Sequence, residues 1–279
     1  MKRLVLIDGH NLLFRMFYGI PASIKNRKGV EIRGVIGFLG ALKKINNALN
    51  PTSLAVIFDS ETSKNTNADL LESYKSNRPD FTNVPADENP FTGLPIIKSS
   101  LDFLEIPFYE VLSEEADDYI ASLASQYKSA YDEIIIVSND SDFFQLIDEK
   151  IFIYSARGKL SKLYNESEFF EKYHIKPKQY IEYKSLIGDT SDNIKGVKGI
   201  GKITAEYILH LGSIEEYLNN SSNDRIKNIL KENNAIIQRN IKLISLNHHL
   251  DTKDIELTEL SDKLKKYNVY AILSYIGER

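Results

Sequence analysis

Glu115-Ala116-Asp117-Asp118 opens a stretch that runs through Tyr119-Ile-Ala-Ser-Leu-Ala-Ser-Gln-Tyr127 and Ile134-Ile-Ile-Val137 to Ser138-Asn139-Asp140-Ser141-Asp142. Ile120, Leu123, Ala124 and Tyr127 recur at helical spacing. Ile134 to Val137 is a short apolar β-branched run bounded by polar residues, which predicts a buried strand. One acidic group therefore stands at the start of a helix and the other at the carboxyl end of the next strand. A helix running back across a parallel sheet brings both to the same edge. Taken singly, Asp117 and Asp118 could complement a helix dipole, and Asp140 and Asp142 could form an Asx-type turn. Taken together they repel: two carboxylates about 4 Å apart cost roughly 4 kcal/mol at an effective dielectric of 20. Protons or cations must neutralise such a site. All-oxygen ligation in a chain without cysteine favours Mg²⁺ or Mn²⁺ over zinc.

The chain has 279 residues, enough for one large or two modest domains with a proper core. Without cysteine there is no disulfide framework, zinc finger or thiol chemistry, which fits a reducing cytoplasm. The apolar run Leu4 to Ile7 is too short for a signal peptide or membrane helix and is expected to be the first strand. The net charge of −4 argues against a nucleic-acid partner only as a total. Acids concentrate at the cluster, while cations gather at Lys25 to Lys28, at Lys75 with Arg78, and at Lys195 to Lys202. Local potential decides phosphate binding.

Working outward, the opening strand ends in Asp8-Gly9-His10-Asn11, and a helix is expected over 12–18. Gly34 to Leu49 predicts an amphipathic helix with Val35, Phe38, Leu39, Leu42 and Ile45 on one side. Leu54 to Phe58 is another apolar strand, followed at once by Asp59. Strand exits marked by aspartates at Asp8, Asp59 and Asp140 form a pattern, since open α/β sheets bind ligands at that edge. Residues 60–95 lose apolar periodicity and are broken by Pro79, Pro85, Pro90 and Pro95. Within them Tyr74-Lys75-Ser76-Asn77-Arg78 sets two cations beside an aromatic, in a polar loop with no core to serve. A helix over 96–104, a strand over 106–111 and a strand over 151–154 complete the first region.

From about residue 175 the composition is helical and lysine-rich. Leu186-Ile-Gly-Asp189-Thr-Ser-Asp192-Asn193 is followed by Lys195-Gly-Val-Lys-Gly-Ile-Gly-Lys-Ile-Thr204. Two short helices joined by that glycine turn would present N–H groups and lysines to a phosphate. Ser213-Ile-Glu-Glu216 reads as a capping box, and His248-His249 as structural or surface.

These motifs, taken in order, resemble the 5′ nucleases, or flap endonucleases, including the 5′-3′ exonuclease domain of bacterial DNA polymerase I. The match comprises Leu-Ile-Asp8-Gly-His, Phe58-Asp59, Tyr74-Lys-x-x-Arg78, Glu115-Ala-Asp-Asp118, Asn139-Asp-Ser-Asp142, Gly188-Asp-x-x-Asp-Asn193 and Gly196-Val-Lys-Gly-Ile-Gly201. With no polymerase region following, the resemblance implies a stand-alone member. It implies a PIN-like 5′ nuclease fold: an α/β domain over 1–174, with a mostly parallel central sheet flanked by helices and an arch at 60–95. A helical DNA-binding region over 175–279 would carry a helix-three-turn-helix at 186–210. Residues 65–67, Asn-Thr-Asn, depart from the Phe-Arg pair usual in polymerase-linked members, removing one expected phosphate contact.

The resemblance also assigns roles. Asp8, Asp59, Glu115, Asp117, Asp118 and Asp140 would hold one divalent ion, and Asp142, Asp189 and Asp192 a second. Lys75 and Arg78 would be catalytic contacts to the scissile phosphate. Tyr74, Lys198, Gly199, Ile200, Gly201, Lys202 and Thr204 would bind DNA. Carbonyls of Leu186, Ile187, Lys195, Val197 and Ile200 would hold a monovalent cation, K⁺. The implied partner is DNA with 5′ flaps, nicks or single/double-strand junctions, met by a monomer without a membrane in DNA replication and repair. A binding-only protein for branched DNA and a PIN-like ribonuclease are the rivals. The complete acidic set argues against the first, and the glycine turn with the long arch against the second.

Overall fold

The computed structural model describes residues 1–59, 71, 74–76, 79, 81–112, 114–247, 249–252 and 255–278. Arg78, the segment 65–67 with most of the expected arch before Tyr74, and His248 lie outside them. Apolar β-branched runs form the centre: β1 (Arg3–Asp8), β2 (Ser53–Asp59), β3 (Phe108–Val111), β4 (Glu133–Val137) and β5 (Ile151–Ser155). They lie parallel in the order β3-β2-β1-β4-β5, and β6 (Lys162–Tyr164) adds an antiparallel edge strand beside β5. Register sets Asp8 beside Ile57 and Ile7 beside Val137, so the exits of β1, β2 and β4 share one edge.

Helices cover both faces, which is why the central strands are apolar throughout rather than alternating. Leu4, Leu6, Ala55, Ile57, Ile134 and Ile136 pack with Ile120, Leu123 and Ala124 of α4 (Ala116–Tyr127). Val5, Ile7, Val56, Phe58, Ile135 and Val137 face α1 (Gly9–Gly19), α2 (Arg33–Leu49) and α3 (Leu94–Leu104). All five residues expected on the apolar side of α2 are buried. Helix α1 starts earlier than the apolar pattern predicts because Asp8 caps it, its Oδ1 accepting from Asn11 N at 3.0 Å. β3 starts later than predicted: Ile106 N donates to Leu101 O at 3.0 Å, closing α3, and Pro107 has no N–H to offer a ladder.

After β6 come α5 (Glu166–Tyr173), α6 (Tyr180–Ile187), the short antiparallel pair β7 (Gly188–Asp189) and β8 (Ile194–Lys195), and α7 (Lys202–His210). Then follow α8 (Ile214–Asn220), α9 (Asp224–Glu232) and α10 (Asn234–Ile244). Ser213 does cap α8, its Oγ accepting from Glu216 N at 3.0 Å. Asn240 of α10 is fully buried, and its Nδ2 donates to Ser185 O at 3.0 Å and Lys195 O at 2.9 Å. That one side chain ties α10 to α6 and to β8.

The end of the chain leaves this helical region. In α11 (Lys263–Lys266) and α12 (Val269–Tyr275), Leu264, Ile272 and Leu273 are buried in the α2/α3 layer. Lys43 Nζ donates to Tyr267 O at 2.7 Å and Leu260 N to Thr52 O at 2.8 Å. The boundaries drawn from the sequence put these residues with the helical region, whereas their packing completes the α/β core. Among the described residues no helix is long and apolar enough to cross a membrane.

Candidate functional site

The β4 exit is pinned to the β1 exit by a short polar network. Ser138 Oγ donates to Asp8 Oδ2 at 2.8 Å and accepts from Asp140 N at 3.0 Å. Asn139 donates from both N and Nδ2 to Asn11 Oδ1, each at 3.1 Å. Asp140 Oδ1 in turn accepts from Asp142 N at 2.9 Å, so the Asx-type turn does form. Across the sheet, Asp59 Oδ1 accepts from Ala116 N at 2.8 Å, joining the β2 exit to the start of α4. The turn thus forms, and the start of α4 is met by Asp59 of β2, the N-cap Glu115 making no side-chain cap bond.

The crowding shifts the acids' proton affinities. Asp8 is buried and pushed up to about 7, chiefly by burial and then by Asp59 and Asp140. Burial raises Asp117 well above the usual carboxylate range, and Asp140, Asp8 and Asp59 add to it. Asp59 behaves oppositely. Burial alone would raise it, but the His10 imidazole, with Nδ1 3.6 Å away, and the Ala116 N–H hold it below its ordinary value. Asp118 is raised to about 6 by burial, although its Oδ1 accepts from Asn247 N at 2.7 Å.

A second group lies alongside. Asp142, Asp189 and Asp192 each offer an oxygen, all within 4.8 Å of one another. Lys184 of α6, 4% exposed, forms ion pairs with Asp142 and Asp189, and its Nζ lies 3.3 Å from Ser141 Oγ. Asp142 is raised to about 7 by burial, with Lys184 opposing and Asp140 assisting. Burial would raise Asp189 too, but Lys184 and Ser191 hold it below the ordinary value. The two groups meet at a cavity lined by Lys75, Glu115, Asp117, Asp118, Asp142 and Asp192, among others.

Lys75 does have a core to serve, which corrects the reading of its surroundings as a polar loop. It is 8% exposed and pairs with Glu115, and its N donates to Asp192 O at 3.1 Å. Its φ of +53° is one an L-residue rarely adopts, a strain common at functional positions. Tyr74, expected to bind DNA, is buried against Ile194, Leu243 and Ile244 and acts as an anchor for Lys75. Arg78 lies outside the described residues.

In the glycine turn, Lys198, Gly199, Gly201 and Lys202 are exposed and Thr204 is half-buried, while Ile200 turns its side chain into the core, leaving its main chain as the available contact. Of the five carbonyls expected to hold a monovalent cation, that of Lys195 accepts from Asn240 Nδ2 at 2.9 Å. Those of Leu186 and Val197 already accept from Val197 N at 2.7 Å and Ile200 N at 3.0 Å. The glycines divide by role. A Cβ on Gly196 would sit 2.3 Å from Ile187 C, so that glycine serves backbone crossing within the turn. A Cβ on Gly201 meets nothing within 4 Å, so that position stays open to an outside backbone. Gly196→Ala is therefore expected to lower the melting temperature by several degrees with or without DNA. Gly201→Leu should leave melting unchanged and weaken duplex binding at least about tenfold, read by fluorescence anisotropy. Equal DNA affinity in Gly201→Leu would contradict the open-face assignment.

Lys184, His10, Ser138, Asn11 and Asn247 were not identified from the sequence. His10, Asn11 and Ser138 stood beside the quoted aspartates, and Lys184 carried a signal of its own, a single cation in the otherwise apolar or small run Tyr183-Lys184-Ser185-Leu186.

The chain matches two adjoining family descriptions: 5′-3′ exonuclease, N-terminal resolvase-like domain, over residues 3–174, and 5′-3′ exonuclease, C-terminal SAM fold, over residues 175–267. DNA polymerase I of Mycobacterium leprae is 32% identical over 269 residues, covering 94% of this chain and 28% of that protein. The chain thus spans little more than a quarter of the length of that curated relative. Among solved structures, T5 5′-exonuclease with bound zinc ions has a TM-score of 0.71 at 21% identity, covering 98% of this chain and 99% of that one. The catalytic core of Rad2 in complex with DNA substrate has a TM-score of 0.57 at 15% identity, covering 98% and 90%. Both show the same fold.

Proposed function

The chain belongs to the 5′-3′ exonuclease family, and on that premise we propose that it is a metal-dependent 5′ nuclease acting at DNA flaps, nicks and single/double-strand junctions. The observation that carries this reading is the convergence of Asp8, Asp59, Asp117 and Asp140 on one sheet edge, with Asp142, Asp189 and Asp192 beside them. The donors are all oxygen and the chain has no cysteine, a set that fits Mg²⁺ or Mn²⁺. Asp8, Asp59, Glu115, Asp117, Asp118 and Asp140 would hold one ion, and Asp142, Asp189 and Asp192 another. Two such ions, when bound, supply Lewis acidity and charge neutralisation for an in-line displacement at phosphorus.

The protein's own groups prepare that chemistry. His10 and the Ala116 N–H keep Asp59 ionised, while Ser138 and Asn11 fix the rotamer of Asp8. Lys75 at the cavity wall supplies the cation for the scissile phosphate, with Arg78 as its partner. The sequence offers no nucleophilic triad, so in this reading water attacks. Lys198 and Lys202, with the open face at Gly201, grip duplex DNA through its phosphates, and K⁺ at the turn carbonyls steadies that grip.

Assays with Mg²⁺ on labelled flap DNA, blunt duplex and single-stranded RNA test the reading. Flap cleavage is expected, with binding that weakens steeply as salt rises because phosphate contacts release counterions. Binding to branched DNA with no cleavage would favour a recognition protein, and cleavage of RNA alone a ribonuclease.

A pH dependence follows from the raised acids. Asp8 and Asp142, at about 7, and Asp118, at about 6, take up protons on folding, so their stabilising protonation is complete below about 4 and is lost as pH rises through the folded values. The metal-free protein should therefore lose melting temperature between pH 4 and 7, and saturating Mg²⁺ should remove that loss. A metal-free melting temperature that climbs steadily across this window contradicts the assignment.

A further inference from the structure

We propose that Lys184 is an internal counter-ion that competes with a divalent cation for Asp142, Asp189 and Asp192, and so sets the affinity of that position. The inference rests on the metal-dependent reading above. Lysine is seldom buried unless paired, and Lys184 is 4% exposed on a helix whose neighbouring Tyr183, Ser185 and Leu186 are buried as well. Nothing about packing α6 requires a charge there. The ammonium is held by two of the three acids whose oxygens gather within 4.8 Å, and by the Ser141 hydroxyl at 3.3 Å. An ammonium and a divalent ion use the same carboxylate oxygens, and like charges at such range repel strongly in a site shielded from water. One must yield before the other binds well.

The other acidic group is built differently. Its lysine, Lys75, pairs with one of six acids, Glu115, and acts on Asp59, Asp117 and Asp118 through its charge, whereas Lys184 is ion-paired with two of three. Two divalent positions would then differ in affinity, the one holding Lys184 filling second and at higher concentration. The tethered ammonium keeps these three acids, two of them buried, tolerable when divalent ions are scarce. It also makes the second position respond to their concentration.

The test is titration of the metal-free full chain with Mn²⁺, without DNA, by calorimetry and by electron paramagnetic resonance of free Mn²⁺. Wild type is compared with Lys184→Met, which keeps an unbranched side chain of nearly the same length, and Lys184→Gln, which keeps polarity. The weaker of two Mn²⁺ steps is expected to tighten by about tenfold or more in both variants, with the tighter step unchanged. The Mn²⁺-induced rise in melting temperature should grow accordingly. Unchanged or weakened second-step affinity in a folded variant overturns the proposal, as does failure of both variants to fold even with Mn²⁺, since Lys184 would then be a structural ion pair. If wild type binds no Mn²⁺ at all, the metal-dependent reading itself falls.

Discussion

Replacing Asp117 by asparagine is expected to lower single-turnover flap cleavage by at least about 10²-fold, the scale lost when one preorganised electrostatic group is removed, while raising the melting temperature of the metal-free protein. Asp117 is half-buried; loss of water around it, and then Asp140, Asp8 and Asp59, lift it well above the ordinary carboxylate range. At neutral pH the unfolded chain carries this acid ionised, so folding must either bury the charge or take up a proton. Both oppose folding. Asparagine has nearly the same shape and neither penalty. The gain in stability should vanish near pH 3–4, where the acid is protonated in both states, and grow as pH rises. Affinity for branched DNA should hold or increase, because one negative charge near phosphate is gone. A variant that melts earlier than wild type across pH 5–8 would show Asp117 to be a structural partner, and wild-type cleavage by it would remove Asp117 from the site. Opposite signs for activity and stability mark a residue kept for chemistry.

Lys75→Ala is expected to slow cleavage by about 10²–10³-fold under saturating enzyme, with a far smaller change in dissociation constant, since a cation set against developing phosphate charge acts on the transition state. Unlike a loop lysine, it should also destabilise the fold. Its side chain is 6% exposed and Glu115's 18%, so truncation strands a largely buried carboxylate, which costs about 3 kcal/mol for a pair of this kind. The double variant Lys75→Ala, Glu115→Gln separates the two roles. Stability should return while the rate stays low, because the phosphate still lacks its cation. Lys75→Arg keeps charge but carries a planar fork in place of a compact ammonium and should recover the rate only in part. Full activity in Lys75→Ala would assign this lysine to packing alone.

These expectations draw on two kinds of information. The run from Glu115 to Asp142 was readable in the sequence because each of its signals is local. Ile120, Leu123 and Ala124 declare a helix face within a few residues, and Ile134 to Val137 declare a buried strand. Asp140 follows that strand by three positions. Once the strands are parallel, the handedness of the crossover leaves one edge for all the acids to share. The same logic covers Asp8, Asp59, the helix α2 and the glycine turn before α7.

The pairings that tune those acids were not local. Asn247 reaches Asp118 across 129 positions, Ser138 reaches Asp8 across 130, and Lys184 reaches Asp142 across 42. Composition made Lys75 look like part of a solvated loop, and only the packing of Tyr74 against Ile194, Leu243 and Ile244 shows why it is buried. Leu264, Ile272 and Leu273 followed a helical stretch in the sequence yet close the α2/α3 layer. By itself, then, the sequence determined the main strands of the first region, their parallel sheet and the aspartates at the exits of β1, β2 and β4, since periodicity and strand-exit position act over a handful of residues, while the resemblance supplied the remaining carboxylates. Only the tertiary structure decided which carboxylates stay ionised, which take protons and which are matched by an internal lysine. Burial and the distance between charges set those states, and both exist only after remote segments have packed.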